Sequence, residues 1–261
     1  MTEKDRPKPL TLAQKINDDG LPKPGELIEI KQAHDLTLQD WRIFDRLLEL
    51  AWPDGAASLD GSMQWTAPVR AVTLETTHNG GASVRESLGR LMATQVRVGF
   101  TDATDGIKKV LQTVLVSGTI TTADESAPSA SLQWSFSPQM VMLLQNSNYW
   151  GRVRSQVSYA FASKYAYRLY QWVALKINLH RSIQEVTPDA LRELLAVPAE
   201  KYEKYPQFNQ SVIQPALQEV NALSDFNVII EPLREGGRAR GEVIKYRLEY
   251  WRKSAEERRA A

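Results

Sequence analysis

The chain has 261 residues, 43% hydrophobic and 24% charged, enough to bury a core and to form one large domain or two of ordinary size. It contains no cysteine, which excludes disulfides, thiolate metal sites and a cysteine nucleophile. The net charge of +1 hides an uneven spread: residues 1–150 carry 14 Lys and Arg against 18 Asp and Glu, and residues 151–261 carry 18 against 13. A basic half joined to an acidic one offers phosphate a local field that the total conceals.

Residues 1–25 are polar and hold Pro7, Pro9, Pro22 and Pro24. They lack the apolar run of a signal peptide, and no stretch of about 18 apolar residues occurs in the chain, so a flexible tail on a cytoplasmic protein is expected. The first helix is predicted from Leu38 to Ala51, with Thr37 and Asp40 as a capping box and Pro53, Asp54 and Gly55 as its stop. Trp41, Phe44, Leu47 and Leu48 share its apolar face. After a turn at His78, Asn79, Gly80 and Gly81, a second helix is predicted to open at Ser83, with Glu86 as its capping partner. Its Val84, Leu88 and Leu91 point inward, and Arg85, Ser87 and Arg90 point outward. Val96, Val98 and Phe100 then alternate as a strand. Further strands are expected at 110–121 and 132–136, around a polar loop at 123–131, and Ser137 with Pro138 starts a short helix.

Residues 146–151 read as a junction. A long helix is expected over 163–178, then a short one opened by Thr187, Pro188 and Asp189 and stopped by Val197 and Pro198. A third, over 207–223, repeats Phe208, Val212, Ala216 and Val220 every four residues, with Pro215 inside the pattern predicting an irregular turn. Strands at 228–231 and 242–250 follow, joined by a hairpin turn over 232–241 that contains Gly236 and Gly237.

Spacing in the two halves agrees. Val84, Leu88 and Leu91 followed by Val96 and Val98 match Ile213, Leu217 and Val220 followed by Val228 and Ile230. The fold class expected is α+β: two winged-helix domains related by a pseudo-repeat. The boundaries expected are a tail at 1–25, domains at 26–148 and 149–252, and a second tail at 253–261.

A winged helix sets its third helix in the major groove and its hairpin along the backbone. The outward residues of the 207–223 helix are Asn209, Gln210, Ser211, Gln214 and Gln218, whose amides and hydroxyl suit base edges. Lys201, Lys204 and Tyr205 precede it, and Arg234, Arg238, Arg240, Lys245 and Arg247 lie on or beside the hairpin. Each set alone reads as ordinary solvated surface; their coincidence in one unit points to duplex DNA. Arg85 and Arg90, with Arg97, Lys108 and Lys109 nearby, are weaker candidates because their half is acidic. Tyr159, Phe161, Tyr165, Tyr167, Tyr170 and Trp172 could stack on single strands, but their helical spacing favours core.

Enzyme motifs are missing. His34, His78 and His180 form no local metal motif; there is no His-x-His pair for a metal-dependent nickase, no Gly-Lys dipeptide for a P-loop, and no Gly-x-Ser-x-Gly elbow. No catalytic, cofactor or metal residues are therefore assigned.

The stretches Ala162–Tyr170, Leu191–Pro198, Lys201–Phe208 and Ile213–Asn221 resemble the iteron-binding plasmid replication initiators in order and spacing. The resemblance implies two winged-helix domains without a catalytic site. It implies binding to directly repeated duplex DNA at a plasmid origin, a monomer–dimer equilibrium in which the dimer represses its own gene, and recruitment of host initiator and replicative helicase. It puts the recognition helix at 207–223 and the wing at 234–245. The polar loop at 123–131 departs from the family's pattern. A winged-helix repressor with no replication role is one alternative, and a metal-dependent nicking enzyme is the other.

Overall fold

A four-residue strand is the first element among the described residues. β1 (Leu21–Pro24) pairs antiparallel with residues 150–153, and between its two prolines the side chain of Lys23 is fully buried. Its Nζ donates to Asp45 Oδ1 at 2.6 Å and to Gln171 Oε1 at 3.0 Å, above the rings of Trp41 and Phe44. A buried cation is tolerated only with such partners, and here burial lowers the ammonium's pKa while Asp45 opposes the fall. The expected tail at 1–25 is thus corrected: residues 20–25 belong to the fold because a ladder and an ion pair fix them. The computed structural model describes residues 20–52, 64–73, 80–102, 104–122, 129–147, 149–178, 182–237 and 241–260; the first 19 positions lie outside these.

The N-terminal half continues with α1 (Gly25–Ile28), α2 (Leu38–Ala51), β2 (Gln64–Pro68), α3 (Val69–Val72), α4 (Gly80–Ala93), β3 (Gln95–Thr101), β4 (Lys108–Val114), β5 (Gly118–Thr121), β6 (Ser131–Ser135) and α5 (Pro138–Gln145). The capping box at Thr37 and Asp40 forms as expected, and Trp41, Phe44, Leu47 and Leu48 are buried. Ser137 caps α5 by accepting from the Met140 amide.

Three expectations in this half are corrected. α4 starts at Gly80, so Ser83 lies inside it; the glycines read as a turn are free to be helical too. Ser87 is fully buried rather than outward, on the side of α4 that faces α2. The single strand at 110–121 is two strands, because Leu115 and Val116 turn inward, their amides bonding Leu91 O. β4 therefore pairs with β3, and β5 with β6 in the sheet β2-β6-β5.

The C-terminal half holds β7 (Trp150–Val153), α6 (Ser155–Ala160), α7 (Lys164–Asn178), β8 (Ile183–Val186), α8 (Pro188–Leu194), α9 (Tyr205–Phe208), a π-helical turn (Asn209–Ile213), α10 (Gln214–Leu223), β9 (Phe226–Arg234), β10 (Val243–Arg252) and α11 (Ala255–Ala260). β10 is central in the antiparallel sheet β8-β10-β9. β9 is longer than expected and contains Pro232, opposite Tyr246; an edge strand tolerates proline's missing donor. The second expected tail, 253–261, is corrected as well. Lys253 is buried and donates to Asn221 O at 2.5 Å, and Ser254 and Glu257 cap α11.

The aromatic run is core: Phe161, Tyr167, Tyr170 and Trp172 are buried, and Tyr170 and Trp172 pack on Phe226 and Tyr250. Polar bonds join the halves. Tyr167 donates its hydroxyl to Asp45, Gln171 donates to the same carboxylate at 2.6 Å, Arg42 donates to Tyr159 O and Phe161 O, and Lys164 donates to His34 O and Leu36 O. A methyl on Gly151 would lie 2.6 Å from Ile28 Cδ1 and 3.2 Å from the Leu175 backbone, so only glycine lets β7 approach α7 this closely. Among the described residues no helix is long and apolar enough to cross a membrane.

Candidate nucleic-acid interface

Thr187 accepts from the Ala190 amide and Pro188 occupies the first turn, so α8 starts where its sequence says. Just beyond its end lies Ala196, a buried residue in the left-handed region at φ 54°, and the chain turns toward the next helix through Tyr202 at φ 56°. Arg192 holds this turn. Its guanidinium donates to the carbonyls of Pro198, Ala199, Lys201 and Tyr202 and lies 5.3 Å from the Phe208 ring. Four carbonyls on one rigid fork fix a loop that has little apolar surface to bury. Lys201 and Lys204 project from it, both exposed.

The helix that follows is continuous from Tyr205 to Leu223 but widens to a π turn over Asn209–Ile213. Pro215 explains the widening. It has no N–H to give, and its ring would strike the carbonyl four residues back in a regular α-helix. The irregular turn expected at Pro215 is present, displaced toward its N-terminal side.

Phe208, Val212, Ile213, Ala216 and Val220 bury one face. Asn221 fastens the helix to the ribbon, its amide donating to Val228 O at 3.0 Å and accepting from Val228 N at 2.8 Å. At the other side Glu219 accepts from the amides of Ala162 and Ser163, tying the helix to the start of α7. The opposite face is polar: Gln210, Ser211, Gln214 and Gln218 are exposed, and Asn209 is half-buried and accepts weakly from Gln214 at 3.4 Å.

On the ribbon, Arg234 stacks 4.6 Å from the Tyr205 ring and donates to Gly241 O at 2.7 Å. That contact places the base of the β9–β10 ribbon against the start of the 205–223 helix. Beneath it Tyr246 is buried, and burial, then Tyr205, pushes its hydroxyl up to about 12, so it stays neutral. Lys245 points to the outer face of the sheet and pairs with Glu185 at 2.9 Å. Arg247 pairs with Glu249 on that face. Arg238 and Arg240 lie outside the described residues.

The N-terminal candidates sit differently. Arg85 is exposed on α4. Arg90 forks onto Asp40 with Nε and Nη2 at 2.8 and 2.9 Å, closing α4 onto the buried acid of α2's capping box. Lys109 is held by Asp102 and Asp105, and that paired ammonium keeps Asp102 well below the usual carboxylate range. Among the described residues no group of His, Asp and Glu gathers that could hold a metal ion.

The structure therefore brings Lys201, Lys204, Tyr205, the polar face of the helix and Arg234 together on one side of the C-terminal unit, and turns Lys245 aside. Sequence reasoning missed Arg192 and Asn221, which position the site from beneath. Nothing in a single arginine or asparagine at those places signals a bond to a distant carbonyl.

Residues 187–250, from the cap of α8 into β10, match the family model described as initiator Rep protein, WH2. That segment is similar to the second winged helix of initiator Rep proteins. The Rep match covers the helix–turn–helix and ribbon just described and stops short of the N-terminal half. No curated protein matches the chain.

Proposed function

We propose that this chain is a Rep protein that initiates plasmid replication by binding directly repeated duplex DNA, using the C-terminal unit as its main reader. The reading rests on one observation. Inside the segment that matches the Rep family, an exposed face of Gln210, Ser211, Gln214 and Gln218 lies beside Lys201, Lys204 and the wing base at Arg234. Amide side chains read adenine with paired bonds, and lysines neutralise phosphate without reading sequence.

In this proposal Arg238 and Arg240 extend the phosphate contacts along the wing, and the N-terminal half is a second winged helix. Support for the repeat comes from element order: α2, β2, α3, α4, β3 and β4 run parallel to α7, β8, α8, α9–α10, β9 and β10. The two differ in that β8 joins its ribbon, whereas β2 pairs with β6. The N-terminal half then serves a second half-site or dimer contact. The protein works in the cytoplasm without catalysis of its own, opens the origin, and brings in host initiator and replicative helicase. As a dimer it represses its own gene.

Footprinting on the DNA flanking the gene, at fixed salt, tests this. Protection of several direct repeats about one to two helical turns long supports initiation. Protection of a lone palindrome supports a repressor, and nicked circles from supercoiled plasmid with divalent metal would make the protein a nickase.

A further inference from the structure

Buried residues of the 205–223 helix recur at every fourth position, Phe208, Val212, Ala216 and Val220, and so do its exposed glutamines, Gln210, Gln214 and Gln218. A regular α-helix cannot keep a four-residue repeat on one line. Each step of four overshoots a full turn by about 40°, so Phe208 and Val220 would diverge by about 120°, and Gln210 and Gln218 by about 80°. The π turn removes this drift. The Gln214 amide bonds Asn209 O, five residues back, which puts one extra residue into that turn and takes back about 100°. Each row is thereby left straight to within about 20°.

Contacts at both ends fix the direction of the rows. At the start, Phe208 lies 5.3 Å from the Arg192 guanidinium and 6.2 Å from the Tyr246 ring. Further on, Glu219 accepts from the amides of Ala162 and Ser163, and Asn221 bonds Val228 twice. The outer row carries no charge: between Pro206 and Leu223 the single ionisable residue is Glu219, which faces α7. Gln214 makes one long bond, donating to Asn209 at 3.4 Å, and the amides of Gln210 and Gln218 bond no described residue.

A glutamine amide meets the N6 and N7 edge of adenine with two bonds. Which adenines it meets depends on the shape of the row. The major groove shows the bases of both strands side by side, so a row that drifts by about 80° crosses from one strand to the other, whereas a straight row stays over one. Gln210 and Gln218 are roughly 12 Å apart along the helix axis, about three to four base-pair steps.

We infer that the three glutamines read a run of adenines on one strand, and that the π turn before Pro215 is what keeps all three over that strand. The inference rests on the DNA reading of the C-terminal unit and deepens it by naming the kind of sequence the unit takes.

Selection from a pool of randomised duplexes by the full chain, at fixed salt, tests it. The wild type enriches sites with several adenines on one strand within about four consecutive base pairs. Gln210→Ala and Gln218→Ala each lose the enrichment of one adenine, at opposite ends of that run and on the same strand. Each weakens binding to the wild-type site about fivefold. Both side chains are exposed, so the thermal unfolding midpoint holds in either variant. Losses that fall on opposite strands overturn the inference while leaving the DNA reading intact. So do variants that select the same adenines as the wild type. A wild type that retains no duplex brings down the DNA reading and this inference with it.

Discussion

α4 with its ribbon β3–β4, and the 205–223 helix with its ribbon β9–β10, use the same order of elements to opposite ends. On α4 two of the polar side chains are taken up by the fold while Arg85 and Glu86 stay exposed: Ser87 is buried, Arg90 forks onto Asp40, and nearby Lys109 is held between two aspartates. On the C-terminal helix they face outward, and no described residue bonds the side chains of Gln210, Ser211 or Gln218. Between 187 and 250 the buried polar residues are Ser224 and Asp225, at the far end of the helix from Lys201 and Lys204. An arginine whose charge a buried carboxylate already neutralises attracts a phosphate weakly, whereas a solvated lysine keeps its full charge and gives up only counterions. Equal counts of basic residues therefore do not make equal DNA surfaces.

The comparison breaks most visibly at Asp40. Asp40→Ala removes the capping box of α2 and the bidentate partner of Arg90, and is expected to lower unfolding free energy by about 2–3 kcal/mol in urea titrations. The salt dependence of DNA binding should not move. A changed slope would place the α4 surface on the duplex.

Next in size is the pair Lys201→Ala and Lys204→Ala. Binding to any duplex should weaken about tenfold at 0.1 M salt, and the slope of log affinity against log salt should fall by about two, one for each phosphate contact. Stability should stay within about 0.5 kcal/mol, because both side chains are exposed. Gln214→Ala is smaller: about 1 kcal/mol lost on the preferred repeat, little on other sequences, and an unaltered salt slope. A uniform loss on all sequences would reassign Gln214 to the backbone.

Much of this contrast was legible in the sequence where periodicity governs. Phe208, Val212, Ala216 and Val220 are buried as their spacing requires, and that spacing turns Gln210, Gln214 and Gln218 outward. Thr37, Ser137 and Thr187 cap helices because capping is a bond between near neighbours. What stayed hidden depends on partners far along the chain. Ser87 and Arg90 look solvated until α2 is placed against α4, since Asp40 lies 50 residues away. Lys23 reads as part of a polar tail until Asp45 and Gln171 close over it. Lys245 reads as a wing cation, although β8 brings Glu185 beside it from 60 residues upstream.

The smallest effect concerns how the N-terminal half hides charge. Glu26 on α1 is 6% exposed and accepts from the Ser147 hydroxyl at 2.7 Å. Burial raises its pKa, and the hydrogen bond offsets part of the rise. A carboxyl whose folded pKa exceeds the unfolded value of 4.5 holds its proton more tightly in the fold. Its contribution is therefore fully favourable below that value and is lost as pH rises through the folded pKa. Glu26→Gln, which mimics the protonated acid, should match the wild type near pH 4 and exceed it at pH 7. The difference should open across the interval above 4.5 in urea titrations taken at steps of pH. Parallel curves for the two proteins would mean that Glu26 keeps its charge at no cost, and the contrast between a half that hides its ionisable groups and a unit that displays them would then rest on Ser87, Arg90 and Lys109 alone.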